Sequence, residues 1–464
     1  MKNIFKAIIV TILRFEAKLI LKKYQPRIIA VTGSVGKTST KDAIFALLAG
    51  SEHVRKSDKS FNSEIGLPLT IIGVPNAWSN PFRWLQNIVD GLLLVLVTTD
   101  YPKWLVLEVG ADRPGDIKSL ALWVTVDIAV ITRLPEVPVH VEYFASPEEV
   151  VEEKASIINA LRPDGTLVVY ADDSRVEMLR TRALAKGARV VTFGLSKHAD
   201  VQGTDSTPLM DTKSPWPTGM QMVVRVGDTN APVVVRGVLG SHALLSVIAA
   251  AAVGKALGMH VEDMVQPLST YEPPKGRMRL LPGLKGSLII DDTYNSSPAA
   301  VEAALDTLKM IISPSSERAT PSGGITPEQH TLPGRATPSG GITPGRRIAV
   351  LGDMLELGRH SVDEHRKVGA YAATRVDLLV TVGFRARDIA QGALDAGMPD
   401  GSILQYEDAA KAGEELQTMV GVNDRILVKG SQSIRTEKIV ERLMLEPEHA
   451  RDLLVRQETN WRRR

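Results

Sequence analysis

The chain has 464 residues, which is too long for one hydrophobic core and predicts two or three domains. Hydrophobic residues make up 44% and charged residues 23%, as in soluble folded proteins, which excludes the disordered and fibrous classes. The net charge of +2 gives no broad basic surface for nucleic acid, and the lack of cysteine excludes disulfides, thiolate metal sites and thiol catalysis. A cytoplasmic location and a monomeric state are the default expectations.

Two apolar stretches lie near the N-terminus. Residues 1–26 are rich in Ile, Leu and Phe, but Lys6, Arg14 and Glu16 interrupt them, so no uncharged run reaches the roughly 20 residues of a spanning helix. This pattern predicts an amphipathic helix packed on its own protein, with peripheral contact to a membrane surface as the alternative. The second stretch, 88–97, is short enough for a buried helix.

The rest of the chain alternates short β-branched runs with helical patterns, which predicts parallel sheets covered by helices. Antiparallel strands are expected between residues 200 and 240, where apolar positions alternate. Paired prolines in 271–276 mark a linker, so we place a boundary between a central domain at 27–271 and a C-terminal domain at 272–464. The predicted fold class is α/β, with a mostly parallel sheet in the central domain and a Rossmann-like second domain.

A low-complexity stretch interrupts the second domain. The decapeptide RATPSGGITP occurs at 318–327 and again at 335–344, within a segment rich in Pro, Gly, Ser and Thr. Two such copies cannot build a solenoid, and this composition buries too little apolar surface to fold. The sequence therefore predicts a disordered surface insertion at 313–346 without a catalytic part.

The strongest chemical signal is a glycine-containing loop that joins the strand RIIAV (27–31) to a helix. Glycines in such a loop let backbone N–H groups approach phosphates, and the helix N-terminus adds a favourable partial charge. Lys37 is predicted to hold the β and γ phosphates of a nucleotide, and Thr38 a magnesium ion. The phosphate-binding residues predicted from this loop are Thr32, Gly33, Ser34, Val35, Gly36, Lys37, Thr38 and Ser39.

Three further residues follow this loop. Glu108 ends the strand WLVLEV, at the edge where α/β sheets hold ligands, and is the predicted carboxylate partner of that magnesium ion. His140 follows the strand DIAVIT, and Lys154 lies on a helix that a capping box at 146–149 begins. A lone loop histidine or helical lysine is usually solvated, so the residues alone assign no role to these two.

Taken together, seven segments resemble successive signatures of the Mur ligases. In chain order they are TGSVGKTST (32–40), FNSEIGLPLT (61–70), LEVGADRPGDI (107–117), GRMRL (276–280), LIIDDTYNSSP (288–298), AVLGDMLELG (349–358) and LVKGS (427–431). The resemblance is strongest to the members that join D-alanyl-D-alanine to a UDP-muramyl tripeptide. Only about 31 residues precede Thr32, so the usual N-terminal UDP-binding domain is expected to be missing.

The resemblance implies that ATP phosphorylates a carboxylate and that an amine then displaces phosphate from the acyl phosphate. It implies ATP and two Mg²⁺ ions as cofactors, with Thr38 and Glu108 at the first ion and His140 at the second. Lys154 matches the lysine that the family carbamylates, which turns a cation into a carboxylate-like metal ligand. The resemblance thus makes Lys37, Glu108, His140 and Lys154 the candidate catalytic residues.

The remaining implied contacts concern the nucleotide and the substrates. By resemblance, Arg277 would contact an ATP phosphate, while Asp292 and Asn295 would border its ribose and adenine. Asn62, Lys429 and Ser431 would contact substrate, with an ordinary strand-end loop as the alternative for the last two.

Three functional hypotheses remain open from the sequence. The first is a peptidoglycan-precursor ligase acting on a nucleotide-linked or lipid-linked peptide. The second keeps the chemistry but changes the substrate, as in folylpolyglutamate or cyanophycin synthesis. The third is a non-catalytic ATP-binding partner protein, which would have no physical need for Lys37, Thr38, Glu108 and Lys154 together.

Overall fold

The computed structural model describes residues 2–58, 64–78, 80–212, 214–311, 345–458 and 461, with side chains described from residue 7. These divide into two compact units. Unit 1 is Met1–Leu209, Gly219–Arg277 and Leu355–Ser361, and unit 2 is Met210–Thr218, Met278–Met354 and Val362–Arg464. Asn62 and nearly all of the predicted insertion at 313–346 lie outside the described residues.

Unit 1 is an α/β structure. Its helices are α1 (Lys2–Tyr24), α2 (Lys37–Ala49), α3 (Gly66–Ile72), α4 (Pro81–Leu96), α5 (Asp116–Ala121), α6 (Pro147–Ala155), α7 (Val176–Ala185), α8 (Ser241–Ala256) and α9 (Val261–Ser269). Its strands are β1 (Arg27–Thr32), β2 (Val54–Lys56), β3 (Trp104–Glu108), β4 (Val126–Ile131), β5 (Leu161–Tyr170), β6 (Arg189–Gly194), β7 (Val201–Met210), β8 (Pro217–Val226) and β9 (Thr229–Arg236).

These strands form one sheet in the order β2-β3-β1-β4-β5-β6-β7-β8-β9. All pairings from β2 to β7 are parallel. The pairing of β8 with β9 is antiparallel, as the alternation between residues 200 and 240 predicted. Strands β3 and β4 are buried along their whole length, which suits a sheet covered on both faces.

Two helices of unit 1 begin at side-chain caps that the sequence contains. At α6, Ser146 Oγ accepts a hydrogen bond from the backbone N–H of Glu149 at 3.4 Å, and Pro147 occupies the first helical position. This confirms the predicted cap at Ser146, while Glu149 Oε2 accepts from the backbone N–H of Ala145 at 2.7 Å instead of that of Ser146. At α4, Asn80 Oδ1 accepts from the backbone N–H of Arg83 at 3.2 Å, again with a proline in the first turn.

The N-terminal helix α1 packs on its own protein, as the amphipathic pattern predicted. Leu13, Ala17 and Ile20 are fully buried in the core of unit 1. The second apolar stretch does form part of a helix, α4, but the prediction that it is buried was wrong. Leu92, Leu93 and Leu96 point outward and are 49–70% exposed. The reason is that α4 is apolar around most of its circumference, while only one side meets α1 and α3.

Unit 2 is a second, smaller α/β structure. Its strands are β10 (Arg279–Pro282), β11 (Leu288–Asp292), β12 (Arg347–Gly352), β13 (Leu378–Val382), β14 (Ile403–Tyr406) and β15 (Arg425–Lys429). Its helices are α10 (Pro298–Met310), α11 (Ser361–Ala373), α12 (Arg387–Asp395), α13 (Ala409–Met419), α14 (Glu437–Leu443) and α15 (Ala450–Leu453). The sheet order is β10-β11-β15-β12-β13-β14, parallel except for β10. The α/β class predicted from the sequence is confirmed.

Among the described residues, none of the helices combines the length and the hydrophobicity that a membrane-spanning segment requires.

Candidate active site

The phosphate-loop residues lie at the carboxyl end of β1, in the middle of the unit 1 sheet. Strand β1 pairs with β3 on one side and β4 on the other, so the chain after Thr32 emerges between Glu108 and Thr132. Parallel strands bring their carboxyl ends to one edge, which is where α/β proteins bind ligands. The loop at 33–36 then leads directly into α2, whose first turn begins at Lys37.

Two glycines of the loop are required by its geometry. Gly33 has φ of 134°, and a Cβ there would lie 2.0 Å from Thr132 Oγ1. Gly36 precedes α2 with φ of 88°, in the left-handed region that disfavours other residues. The backbone N–H groups of Ser34 and Val35 donate to Arg133 O at 3.1 and 3.4 Å, which fixes the loop against the end of β4.

Lys37 lies at the start of α2 with its side chain folded over the loop. Its Nζ donates a hydrogen bond to Gly33 O at 3.0 Å. Burial lowers the pKa of Lys37, the nearby Glu108 carboxylate opposes that shift, and Arg277 lowers the pKa further. Lys37, Glu108 and Arg277 are therefore electrostatic neighbours, and a bound polyphosphate would stabilise the charged lysine.

Glu108 faces Thr38, as a shared magnesium site requires. Thr38 Oγ1 donates to Glu108 Oε1 at 3.1 Å, and both side chains are buried. The backbone N–H of Glu108 donates to Ser57 Oγ at 3.0 Å, which fixes the end of β3. Glu108 Oε2 accepts no hydrogen bond within the described structure and has Lys41 Nζ at 3.8 Å. A hydroxyl and a buried carboxylate oxygen of this kind fit a hard oxygen-binding cation.

Lys154 lies on α6 and is buried, whereas a lone lysine on a helix is usually exposed to solvent. Its Nζ makes no hydrogen bond to any described residue. The pKa of Lys154 is lowered to about 7, mainly by burial and secondly by the positive charge of Lys37. Asp112 and Glu153 oppose the shift. A large fraction of this amine is therefore neutral near pH 7, and a neutral amine is the form that reacts as a nucleophile.

His140 adopts a left-handed backbone conformation with φ of 70° at the start of a short 3₁₀ helix, Val141–Tyr143. Its Nδ1 lies 2.6 Å from Glu356 Oε2, and its Nε2 lies 3.7 Å from Asp112 Oδ1. The close approach of His140 lowers the pKa of Glu356. With Nδ1 beside this carboxylate, Nε2 is the nitrogen that faces Asp112 and the rest of the site.

Several residues of this site escaped the sequence analysis. Asp112, Lys41 and Glu356 each contact or electrostatically influence a predicted residue. Lys41 follows Lys37 by one helical turn, and Asp112 lies within the segment 107–117, so position alone could have suggested both. Glu356 lies more than 200 residues from His140 in sequence, and no local pattern points to that contact.

The predicted residues of unit 2 form a separate cluster at the carboxyl ends of β11 and β15. Lys429 Nζ lies 2.6 Å from Asp292 Oδ2 and donates to Asn295 O at 2.8 Å. Asp292 and Lys429 are partners in the strand register. Ser431 is buried, and its backbone N–H donates to Asp353 O at 3.0 Å. The residues implied for nucleotide and for amine substrate are therefore brought together in this unit.

Within the described residues, no three His, Asp or Glu side chains are gathered as a ready-made metal cluster. The site in unit 1 instead offers a hydroxyl, a carboxylate, an imidazole and a lysine amine. Such a set completes an oxygen-rich cation site only if the amine gains oxygen atoms or if substrate supplies them.

Two family models match the chain. The Mur ligase middle domain matches residues 85–254, and the Mur ligase, glutamate ligase domain matches residues 339–432. A UDP-N-acetylmuramoyl-tripeptide--D-alanyl-D-alanine ligase of Bacillus subtilis is 29% identical over 438 residues, which cover 94% of this chain and 80% of that protein. The ligase of the same name from Escherichia coli is 24% identical, over 90% of this chain and 76% of its own length.

Solved structures share the fold. The MurF ligase of Thermotoga maritima in complex with ADP matches with a TM-score of 0.70 and 24% identity, over 93% of this chain and 83% of that one. A folylpolyglutamate synthase of Mycobacterium tuberculosis complexed with ADP and AMPPCP matches with a TM-score of 0.61 and 14% identity, over 92% and 94%. At these identities the structural likeness establishes the architecture alone.

Proposed function

Because this chain is a member of the Mur ligase family, we propose that it is an ATP-dependent ligase that joins D-alanyl-D-alanine to the terminal carboxylate of a UDP-muramyl tripeptide. The observation that carries the proposal is the contact of Thr38 with Glu108 beside the phosphate loop, with Lys154 buried close to Lys37. Phosphate loop, candidate metal ligands and a perturbed lysine therefore occur in one place.

In this proposal the loop and the first turn of α2 hold the triphosphate. Helix N-termini bind anions because their first N–H groups have no partner within the helix. Lys37 Nζ would exchange Gly33 O for oxygens of the β and γ phosphates, and Arg277 would add a second positive charge. These two cations stabilise the negative charge that develops as the γ phosphate leaves ATP.

The acceptor carboxylate attacks the γ phosphate and becomes an acyl phosphate, while ADP leaves. The amine of the dipeptide then attacks the carbonyl carbon, loses a proton and expels inorganic phosphate. A Mg²⁺ ion on Thr38 and Glu108 would supply the positive charge that lets two anions approach each other. Phosphorylation makes chemical sense here, because a free carboxylate is a poor acyl donor.

Lys154 is proposed to act as a carbamate. Its neutral amine would add to carbon dioxide and release a proton, which places two oxygen atoms on a side chain that has no hydrogen-bond partner among the described residues. The carbamate and His140 Nε2 would hold a second Mg²⁺. Glu356 would fix the imidazole ring through Nδ1, as carboxylates do for metal-bound histidines.

In unit 2 we propose that Asp292 and Asn295 border the ribose and adenine and that Lys429 and Ser431 contact the amine substrate. The strand register and the 2.6 Å contact between Lys429 and Asp292 support this grouping. Asn62, outside the described residues, remains a proposed substrate contact. We also propose a cytoplasmic, monomeric enzyme that touches a membrane through its N-terminal helix, whose Ile8 and Phe15 are exposed.

The proposal is tested by phosphate release from purified protein with ATP, Mg²⁺, UDP-muramyl tripeptide and D-alanyl-D-alanine, with each component left out in turn. We expect release and ligated product only with all four. Release that ignores the peptide would reject this acceptor, and ATP binding without any release would indicate a non-catalytic protein. Lys37→Ala should lower release at least about 100-fold, because it removes charge that stabilises the transition state.

A further inference from the structure

Helix α4 presents a continuous apolar face to the outside. The exposed large apolar side chains of this face are Phe82, Leu85, Val89, Leu92, Leu93 and Leu96. Their spacing of three and four residues places them on one side of the helix. Phe82 is 83% exposed and Leu96 70%, so the face runs over the whole helix, which is about 24 Å long at 1.5 Å per residue.

The opposite side of α4 is firmly anchored. Trp84, Asn87 and Gly91 are buried, and Asn87 Nδ2 donates to Pro75 O at 2.8 Å. Lys23 of α1 caps the carboxyl end of the helix, since its Nζ donates to Leu94 O, Val95 O and Val97 O at 2.8–3.0 Å. The outward face is therefore held rigidly in place rather than exposed by fraying.

Few polar groups accompany this face. Gln86 accepts a hydrogen bond from Arg83 on the same helix at 2.9 Å, and the charges of Arg83 and Asp90 offset each other. Protein interfaces of useful size carry about one hydrogen bond per 100–200 Å². The six aliphatic and aromatic side chains of this face offer no hydrogen-bonding groups. Such a face is better suited to contact with lipid acyl chains than with a protein partner.

The neighbouring helix α1 supplies charge of one sign. It exposes Lys18 and Lys22, whereas Glu16, the only acidic residue of α1, is buried. Trp78 lies just before α4 and is 70% exposed. Apolar side chains, an exposed tryptophan and lysines on the adjacent helix are features of helices that lie in the surface of an anionic bilayer.

We propose that the outward face of α4, together with Lys18 and Lys22 of the adjacent helix α1, docks on the surface of an anionic lipid bilayer. The helix lies flat, with Phe82, Leu85, Leu92 and Leu96 among the acyl chains near the headgroups. The lysines contact lipid phosphates. This surface is separate from the phosphate loop and does not depend on the proposed ligase reaction.

The test is flotation of the full chain with vesicles of phosphatidylcholine alone or of phosphatidylcholine mixed with phosphatidylglycerol. The wild-type protein should float with the mixed vesicles and much less with the neutral ones. A Leu85→Glu/Leu92→Glu variant should lose at least about tenfold in bound fraction, because two charges enter the apolar layer. A control variant, Leu122→Glu/Leu184→Glu, changes two other exposed leucines and should float like wild type.

A second variant separates charge from apolar burial. Lys18→Gln/Lys22→Gln should weaken flotation with the anionic vesicles and abolish the difference between the two compositions. Far-ultraviolet circular dichroism and phosphate release should be unchanged in all three variants, since none alters the catalytic residues. The assay contains no nucleotide or peptide, so its result is independent of the ligase assignment.

Three results would overturn the proposal. The first is wild-type protein that stays out of both vesicle fractions, and the second is a Leu85→Glu/Leu92→Glu variant that floats like wild type. The third is a wild-type dimer in size-exclusion chromatography that this variant converts to a monomer while vesicles bind neither, which would assign the face to a second copy of the chain.

Discussion

Lys154 is a residue whose role cannot be assigned from its local sequence. A lysine on a capped helix is normally a solvated surface residue, and only the family resemblance singled this one out. The structure buries it and lowers its pKa to about 7. By contrast, glycine spacing and a strand end were enough to nominate Lys37, Thr38 and Glu108, because a phosphate loop is encoded locally.

At this residue we expect a carbamate that can be observed directly. With carbon-13 bicarbonate, the wild-type protein should show a carbamate carbon signal at pH 8 that fades below pH 7, where protonation of Lys154 competes. Lys154→Met should lack the signal and lose about 100-fold in ligase rate. Lys118→Met, which removes an exposed lysine, should keep both. A signal that survives in Lys154→Met would refute the assignment.

At the scale of elements, Glu153 links two helices around the site. Its carboxylate accepts from the backbone N–H groups of Gly115, Ile117 and Lys118 at 2.7–3.1 Å, and so caps α5 from within α6. The loop that carries Asp112 precedes α5, and Lys154 follows Glu153 directly. This buried cap therefore connects the loop at 110–116 to the helix of the candidate metal ligand.

We expect Glu153→Gln to lower the free energy of unfolding by about 1–3 kcal/mol, because a buried charged acceptor of three N–H groups is lost. Glu152→Gln is the matched control. Glu152 forms an exposed ion pair with Arg182 at 2.7 Å, which is worth less than about 1 kcal/mol. Urea denaturation of both variants measures the difference, and equal destabilisation would show that the cap is not special.

The contact between α1 and α4 contains a second buried carboxyl group. Glu16 packs closely against Gly91, since a Cβ added to Gly91 would lie 2.3 Å from Glu16 Oε2. That oxygen accepts no hydrogen bond from the described residues. Burial raises the pKa of Glu16 to about 7. The folded state therefore holds the proton more tightly than the unfolded chain, whose glutamate pKa is about 4.3.

The stabilisation from this proton is complete below about pH 4.3 and is lost as the pH rises through 7. Glu16→Gln should therefore match wild type near pH 4 and exceed its free energy of unfolding by about 2–4 kcal/mol at pH 8. Chemical denaturation across this pH range gives the comparison. A difference that does not change with pH would contradict burial as the cause.

Helices and strands could be predicted where a local sequence pattern determines them. Their burial and their long-range contacts were less predictable, because these depend on tertiary packing. The Ser146 cap of α6 and the alternation near β8 and β9 were both confirmed. The burial of α4 was predicted wrongly, since apolar periodicity does not show whether a helix is covered on one side or on all. Contacts such as His140 with Glu356 need the fold, because their sequence separation is large.

At the scale of the molecule, the buried Arg425 connects two segments of unit 2 that are distant in sequence. Its guanidinium donates to Ile311 O and to Gly345 O. One buried side chain therefore bonds two residues that are 34 positions apart in sequence. The predicted insertion at 313–346 lies almost wholly outside the described residues and stays a prediction.

Replacing residues 312–344 by a short Gly/Ser linker should therefore leave the melting temperature and the ligase rate unchanged. Adding Arg425→Met to that variant should destabilise it by about 2 kcal/mol, because two buried carbonyl groups lose their donor. Differential scanning fluorimetry and phosphate release measure both effects. Loss of ligase activity on linker replacement alone would assign the segment a catalytic part.

The central claim is that the γ phosphate held by the loop at 32–39 passes to the acceptor carboxylate. It is tested most directly with acceptor peptide labelled with oxygen-18 in its terminal carboxylate, followed by mass spectrometry of the released phosphate. If an acyl phosphate forms, one labelled oxygen moves from the carboxylate to phosphate in each turnover. Released phosphate without label, together with ligated product, would contradict the account.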